Sequence, residues 1–293
     1  MYDDGVTMNR TKESDDLKPR PKRSDAGVDL VRHLASEGLK IFTLDQARTS
    51  APDVGLQASY LVESLHHLER QGWIIRLRRG LYAVSSSVSG VAPVHEFEIA
   101  MALVKPAAIS HWSALHYHGL TDQVPRTVFV LTPATRFISR LSATTSAGKT
   151  TRPRPRLPQF QFVSIKKEWF FGTQDIWVSD SRVSITDPER TLLDGLARPR
   201  YCGDLAEVLH AFETRGDRLD VKKIVGYALK LDAAMAKRLG WVLEQRGAPP
   251  DALEALRKVP VRGYRKLDPS SPAHGPYIRQ WMIQENLPGR RRS

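Results

Sequence analysis

The sequence holds one cysteine, Cys202, which excludes a disulfide framework and leaves too few thiols for a cysteine-based zinc site. Cys202 is expected as a buried or half-exposed free thiol. Long hydrophobic runs are also missing, so no segment reaches the roughly 18 apolar residues of a membrane helix. The polar N-terminal stretch lacks a signal-peptide hydrophobic core, and a membrane-free, cytoplasmic protein is expected. No nucleophile motif and no cofactor fingerprint is present. Gly148-Lys149-Thr150 looks like the end of a phosphate-binding loop, but Ala143 stands where that loop needs its first glycine. His111, His116 and His118 do not make a metal site: on a helix, positions two apart diverge by about 200°, so His116 and His118 cannot converge. Asp187, Glu189 and Asp194 are explained by capping and surface roles. The expectation is therefore no catalytic residue, no metal, no cofactor and no enzyme.

Acidic residues are absent from Gln123 to Lys167, a stretch that carries Arg126, Arg136, Arg140, Lys149, Arg152, Arg154, Arg156, Lys166 and Lys167. Its middle, from Ser142 through the Arg-Pro repeats to Arg156, reads as an exposed loop. Arg136, Arg140, Lys149, Arg152, Arg154 and Arg156 are candidate secondary contacts to nucleic acid or to an acidic partner. A solvated insertion explains them equally well. The formal charge of +12 is unevenly placed: residues 1–92 hold 13 basic against 12 acidic residues, and the remainder 31 against 20. Most of the excess therefore lies outside the N-terminal part.

What is present in that N-terminal part is a pattern of three short helices and a hairpin. Leu30, Val31, Leu34 and Ala35 have helical spacing, with Gly38 as the stop. Thr43 is placed to cap a helix over Leu44–Ser50, ended by Pro52. A third helix is predicted from about Leu56 to Gln71, with Leu61, Leu65 and Leu68 inward and Gly72 closing it. Residues 73–77, a turn at Arg78-Arg79-Gly80, and residues 81–84 form a hairpin. This order is that of a winged helix-turn-helix. Ser59, Tyr60 and Glu63, near the start of the third helix, are the candidate base readers, with Gln57 just before them able to reach a base or a phosphate. His67 lies on the same outward face, alongside His66. Arg70, Arg76, Arg78 and Arg79 are placed for phosphate contact.

A chain of 293 residues predicts about two domains. The division expected is a disordered tail over 1–24, a winged helix-turn-helix DNA-binding domain over 25–84, and a serine-rich linker over 85–92. A second domain over 93–285 and a basic tail over 286–293 follow. The linker implies that a fragment of residues 1–90 folds by itself. In the second domain, helices are predicted near 95–103 and 107–118, and strands at 127–132, 160–165, 169–171, 176–178 and 183–186. Asp187 and Pro188 mark the N-cap and first position of a helix. Further helices are predicted near 205–214, 221–229 and 233–245. The fold class is α+β: an N-terminal winged helix-turn-helix followed by a larger mixed α/β domain with a helical C-terminal half. Trp112, Leu115 and Leu120 are core candidates, and Arg190 is expected to bridge its helix to the sheet.

The segment from His111 to Pro125 (HWSALHYHGLTDQVP) and the helix starting Asp187-Pro188-Glu189-Arg190-Thr191-Leu192-Leu193-Asp194 resemble the AbiEi family of bacterial antitoxins. The resemblance covers about residues 26–250. It implies a repressor of its own operon that binds double-stranded operator DNA and neutralises a nucleotidyltransferase-like toxin encoded by the adjacent gene. It also implies that antitoxic activity resides in the C-terminal domain and that both domains can bind DNA. The residues alone leave open a stand-alone winged-helix transcription factor without a toxin partner.

Overall fold

Thr43 accepts a hydrogen bond from the Gln46 main-chain N–H at 3.2 Å, while the Gln46 carboxamide accepts from Thr43 N–H at 2.8 Å. This capping box fixes the start of a helix at Leu44. The structure, a computed structural model of the chain, describes residues 23–85, 93–134 and 158–287. Its N-terminal unit runs α1 (Arg23–Ser36), β1 (Ile41–Thr43), α2 (Leu44–Ser50), α3 (Leu61–Gln71), β2 (Ile74–Arg78) and β3 (Leu81–Val84). Leu30, Leu34, Phe42, Leu61, Leu65, Leu68 and Ile74 form its core. The strands pair in the order β1-β3-β2, all antiparallel. This is a winged helix-turn-helix, with β1 an element that sequence patterning does not reveal.

The second unit is built on a five-stranded sheet. Its elements are α4 (Glu96–Leu103), β4 (Ala108–Ile109), α5 (His111–Tyr117), β5 (Thr127–Thr132), β6 (Gln159–Ser164), β7 (Thr173–Val178) and β8 (Ser181–Thr186). The strand order is β6-β5-β4-β8-β7. β5 and β6 run parallel, as do β4 and β8, and the remaining pairs are antiparallel. A helical half follows: α6 (Pro188–Ala197), α7 (Leu205–Arg215), α8 (Val221–Lys230), α9 (Ala233–Gln245) and α10 (Pro250–Arg257). Leu192, Leu196, Val208, Phe212, Ile224 and Leu239 form the centre of its core. A three-stranded sheet, β9 (Arg265–Lys266), β10 (Tyr277–Ile278) and β11 (Ile283–Gln284), completes the described chain. The architecture is α+β, and no helix among the described residues is long and apolar enough to cross a membrane.

Several elements differ from the sequence-based reading. The helix expected over 107–118 is split. Ile109 pairs with Val130 of β5 and Ile185 of β8, so this point of the chain is strand, and α5 begins only at His111, whose backbone is at φ 48°. The strand expected at 169–171 is instead a 3₁₀ turn, Lys167–Trp169, followed by irregular chain. The long third helix is interrupted as well: Ala58–Tyr60 is a 3₁₀ turn, and α3 proper starts at Leu61. α1 begins at Arg23, inside the expected tail. Ser85 is buried and donates its N–H to the Trp73 carbonyl, so it extends the hairpin and is not linker. At the other end Asn286 is fully buried. Its side chain accepts from the Asp268 N–H and donates to the carbonyls of Asp268 and Pro272, so it belongs to the folded unit and not to a tail.

Gly240 on α9 marks a close approach. A Cβ there would fall 2.0 Å from the ring of Trp281, which is fully buried and donates its indole N–H to Glu244 at 2.7 Å. Only glycine leaves room for that ring against the helix.

Candidate nucleic-acid interface

Leu61, Leu65 and Leu68 are buried and Gly72 closes α3 in the left-handed region at φ 82°. With that face inward, Glu63, His66, His67 and Arg70 are exposed. The interruption at 58–60 changes the geometry of the other candidates. Gln57 is extended, Ser59 lies in the 3₁₀ turn, and Tyr60 caps α3. Their placement therefore follows the turn and not a continuous α-helical wheel. All three are nevertheless exposed and stand at the N-terminal end of α3, the end from which a recognition helix reads base edges.

Val62 was not among the sequence candidates, yet it is 60% exposed beside Tyr60 at 38%. On a helical wheel it lies about 90° from the leucine face, on the flank opposite Tyr60, and the packing of that face shows it to be outside the core. An exposed β-branched side chain at this end of the helix suits contact with a thymine methyl group.

The wing is short. Arg78 pairs across from Leu81, which leaves Arg79 and Gly80 at the tip, and the register shifts between Arg76 and Arg78. Arg76, Arg78 and Arg79 are all exposed. Gly80 accepts a hydrogen bond from Leu44 N–H at 3.0 Å, which ties the hairpin tip to the start of α2. Behind the tip, Leu77, Leu81 and Ala83 turn away from this surface and pack with Ile99 and Leu103 of α4. The reader is therefore seated on the second unit through an apolar seam. Arg136, Arg140, Lys149, Arg152, Arg154 and Arg156 lie outside the described residues, as do Arg290, Arg291 and Arg292.

The helix of the second family-like motif, α6, carries charges that are bound internally. Arg190 is 1% exposed. Its Nε donates to Asp194 at 2.9 Å and its Nη1 to the carbonyls of Trp169 and Phe171 at 2.7 and 3.2 Å. It does bridge the helix to the region between β6 and β7, by capturing carbonyls that a strand would have paired. Glu189, expected beside it, instead holds Arg215 at 2.9 Å and Lys223 at 3.1 Å. Burial pushes its carboxyl upward, but hydrogen bonds from Arg215 and Lys223 outweigh that and hold it below the usual range. Asp187 caps α6 through Arg190 N–H and accepts from the Tyr227 hydroxyl at 2.9 Å and from Lys223. Burial raises Asp194 despite the attraction of Arg190.

Among the histidines, His118 donates to the Thr186 carbonyl at 2.7 Å and His111 is buried against Phe129 and Tyr201. No group of histidine, cysteine and acidic residues suited to a metal occurs among the described residues. Leu115, Leu120 and Cys202 are core residues, whereas Trp112 is only half-buried.

Comparison with known proteins adds to this geometry. Residues 29–85 match the family described as "Transcriptional regulator, AbiEi antitoxin", and residues 107–245 match "AbiEi antitoxin C-terminal domain". No curated protein matches the chain. Among solved structures it is similar to the RV2827C protein from Mycobacterium tuberculosis, with a TM-score of 0.63 at 12% identity, over 90% of this chain and 91% of that one. At that identity the likeness concerns the fold alone.

Proposed function

The chain belongs to the AbiEi antitoxin family, and from that premise we propose that it represses its own operon by binding double-stranded operator DNA while neutralising a nucleotidyltransferase-like toxin encoded by the adjacent gene. Family membership supports the antitoxin and regulator roles in general. The operator, the toxin class and the contact residues are our reading. The observation that carries the DNA half is the exposed set Gln57, Ser59, Tyr60, Val62 and Glu63 at the N-terminal end of α3, with three exposed arginines on the adjoining wing.

In this reading the end of α3 enters the major groove. Ser59, Tyr60 and Glu63 contact base edges there, and Val62 meets a thymine methyl. His67 and Arg70 lie further along the helix beside the backbone. Arg76, Arg78 and Arg79 bind phosphate oxygens, where a guanidinium donates two parallel hydrogen bonds. The second unit supplies the toxin-neutralising surface.

Co-expression with the neighbouring gene and a gel shift on the upstream DNA test both halves. Rescue of growth together with a shift that scrambled DNA does not compete supports the proposal. A shift with no rescue would favour a stand-alone winged-helix transcription factor. Rescue with no sequence-selective shift would remove the repressor role.

A further inference from the structure

A cavity of about 180 Å³ lies in the second unit where the parallel strands β5 and β6 end, bounded there by Leu131 and Ile165. In sheets with parallel strands, ligands gather at the carboxyl ends of those strands. The other walls include His111, Arg190 and Asp194 of α6 with Arg198 just past its end, and Asp232 just before α9 with Arg238 on it. Three guanidinium groups and two carboxylates thus share one small space.

The charges do not balance within it. Asp194 is held by Arg190 through Oδ1 at 2.9 Å, and its buried Oδ2 has no hydrogen-bond partner among the described residues. Asp232 is exposed and caps α9 by accepting from Met235 N–H at 2.8 Å. Arg198 and Arg238 are half-buried, and neither forms an ion pair with a described residue. Each is tethered through one nitrogen to a main-chain carbonyl, Arg198 Nη2 to Ser164 at 3.1 Å and Arg238 Nε to Lys266 at 3.0 Å. Those tethers hold the two guanidinium groups in place and leave further N–H donors without a partner among the described residues. Their counter-charges act through space and not by contact, Asp194 on Arg198 and Asp232 with Asp268 on Arg238, so a fixed pair of guanidinium groups facing one cavity is open to an anion that meets them directly. Burial pulls the Arg238 guanidinium below its ordinary value, against the attraction of Asp232 and Asp268. His111, buried in the same wall, is held neutral. It therefore adds no further positive charge to the two arginines, and its backbone is in the left-handed region, φ 48°. Such strain recurs at ligand sites.

We propose that this cavity is a binding site for a small molecule bearing an oxyanion group, phosphate or carboxylate, whose oxygens are held by Arg198 and Arg238. Arginine forks match both anions, and the volume suits a compact metabolite or the anionic end of a larger one. The site lies in the second unit, away from the wing and α3. It is independent of how the chain reads DNA, and a regulator carrying it gains an input besides its toxin.

Isothermal titration of the full chain with inorganic phosphate and, separately, with malonate tests this, at constant ionic strength in chloride. Saturable one-site binding of at least one probe is expected, and which one binds distinguishes the two anion types. Arg198→Gln and Arg238→Gln should each weaken it by roughly tenfold or more, the scale of a missing charge-assisted hydrogen bond. The wing variant R78A/R79A should bind the probe like wild type. If a glutamine variant does not fold, Arg238→Lys keeps the charge but not the fork, and should bind measurably more weakly. Absence of saturable binding for both probes overturns the proposal, and so does binding unchanged by substitution at Arg198 and Arg238. Neither result touches the DNA-reading proposal, which is read from the gel shift in phosphate-free buffer.

Discussion

Lys40 donates from Nζ to the Asp180 carboxylate at 3.2 Å, joining the residue ahead of β1 to the turn between β7 and β8. The Lys40 side chain is 18% exposed and that of Asp180 87%. The pair marks the edge of the seam between reader and second unit, whose interior is the apolar packing of Leu77, Leu81 and Ala83 with Ile99 and Leu103. For that reason the fragment of residues 1–90 should not be an intact autonomous unit.

At the seam, Asp180→Ala should cost no more than about 1 kcal/mol, because one partner is fully in water. Leu103→Ala should cost about 2–5 kcal/mol, as truncation of a buried leucine does. Although Leu103 lies in the second unit, its truncation should lower the melting of the reader. Calorimetry of the full chain and of fragment 1–90 checks this. A fragment melting at the same temperature as the reader in the whole chain would show the seam to be energetically idle.

On the wing, replacing Arg78 and Arg79 with alanine should weaken operator binding with little effect on stability, since both are exposed. The salt dependence should flatten by about one unit of slope for each phosphate that an arginine no longer neutralises. Titrations at several salt concentrations that return the same affinity and slope as wild type would place the wing off the DNA.

At the end of α3, substitution of Ser59, Tyr60 or Glu63 should change sequence preference more than non-specific affinity, by about 1–3 kcal/mol for each base read. Val62→Ala should weaken binding to the native operator and abolish the difference between thymine and uracil at one position. An equal thymine-to-uracil penalty in wild type and variant would argue that Val62 touches no methyl group.

Inside α6, Arg190→Met should destabilise the fold by about 3–5 kcal/mol, because it strands the buried Asp194 carboxylate. The double variant R190M/D194L should recover part of that stability. Urea unfolding of the three proteins decides the matter, and a double variant worse than the single one would show that Arg190 acts mainly through the Trp169 and Phe171 carbonyls.

His111 sets a pH dependence. Burial, then Arg198 and Arg190, lower it from 6.5 to about 3 in the folded chain. Between those values the unfolded chain takes up a proton that the folded chain refuses, so stability falls as pH drops below 6.5. At most this amounts to about 1.4 kcal/mol per pH unit. Asparagine tolerates the left-handed backbone and does not titrate there, so His111→Asn should flatten the slope of stability between pH 6.5 and 5. Unfolding curves at several pH values would show it, and identical slopes for the two proteins would rule it out.

Much of this architecture is written in local signals. Thr43 and Asp187 cap helices where their side chains have a main-chain N–H three residues ahead. Gly72 and Gly119 end helices in the left-handed region, and the apolar run from Thr127 to Thr132 is a strand over those residues. What escapes is short or depends on remote partners. Ala108–Ile109 is strand only because β5 and β8 lie on either side of it, and two residues carry no period. The two-residue strands of the last sheet are hidden for the same reason. The break before Leu61 is also silent, since Ala58, Ser59 and Tyr60 are all compatible with a helix. At the interface, the arginines of the wing are legible from their turn, whereas the exposure of Val62 emerges only once the leucines of α3 have found their core.

Gly240 and Trp281 give the C-terminal segment an architectural weight that family matching does not assign to it. The matched region ends at residue 245. Yet the helix finishing there has a slot in its side that residue 281 fills, and Glu244 holds the indole in it. A chain cut at 245 would leave that slot empty and an apolar helix flank in water. The final stretch of the described chain is thus a wall of the second unit, whose packed residues run on to Asn286, past the end of the family match.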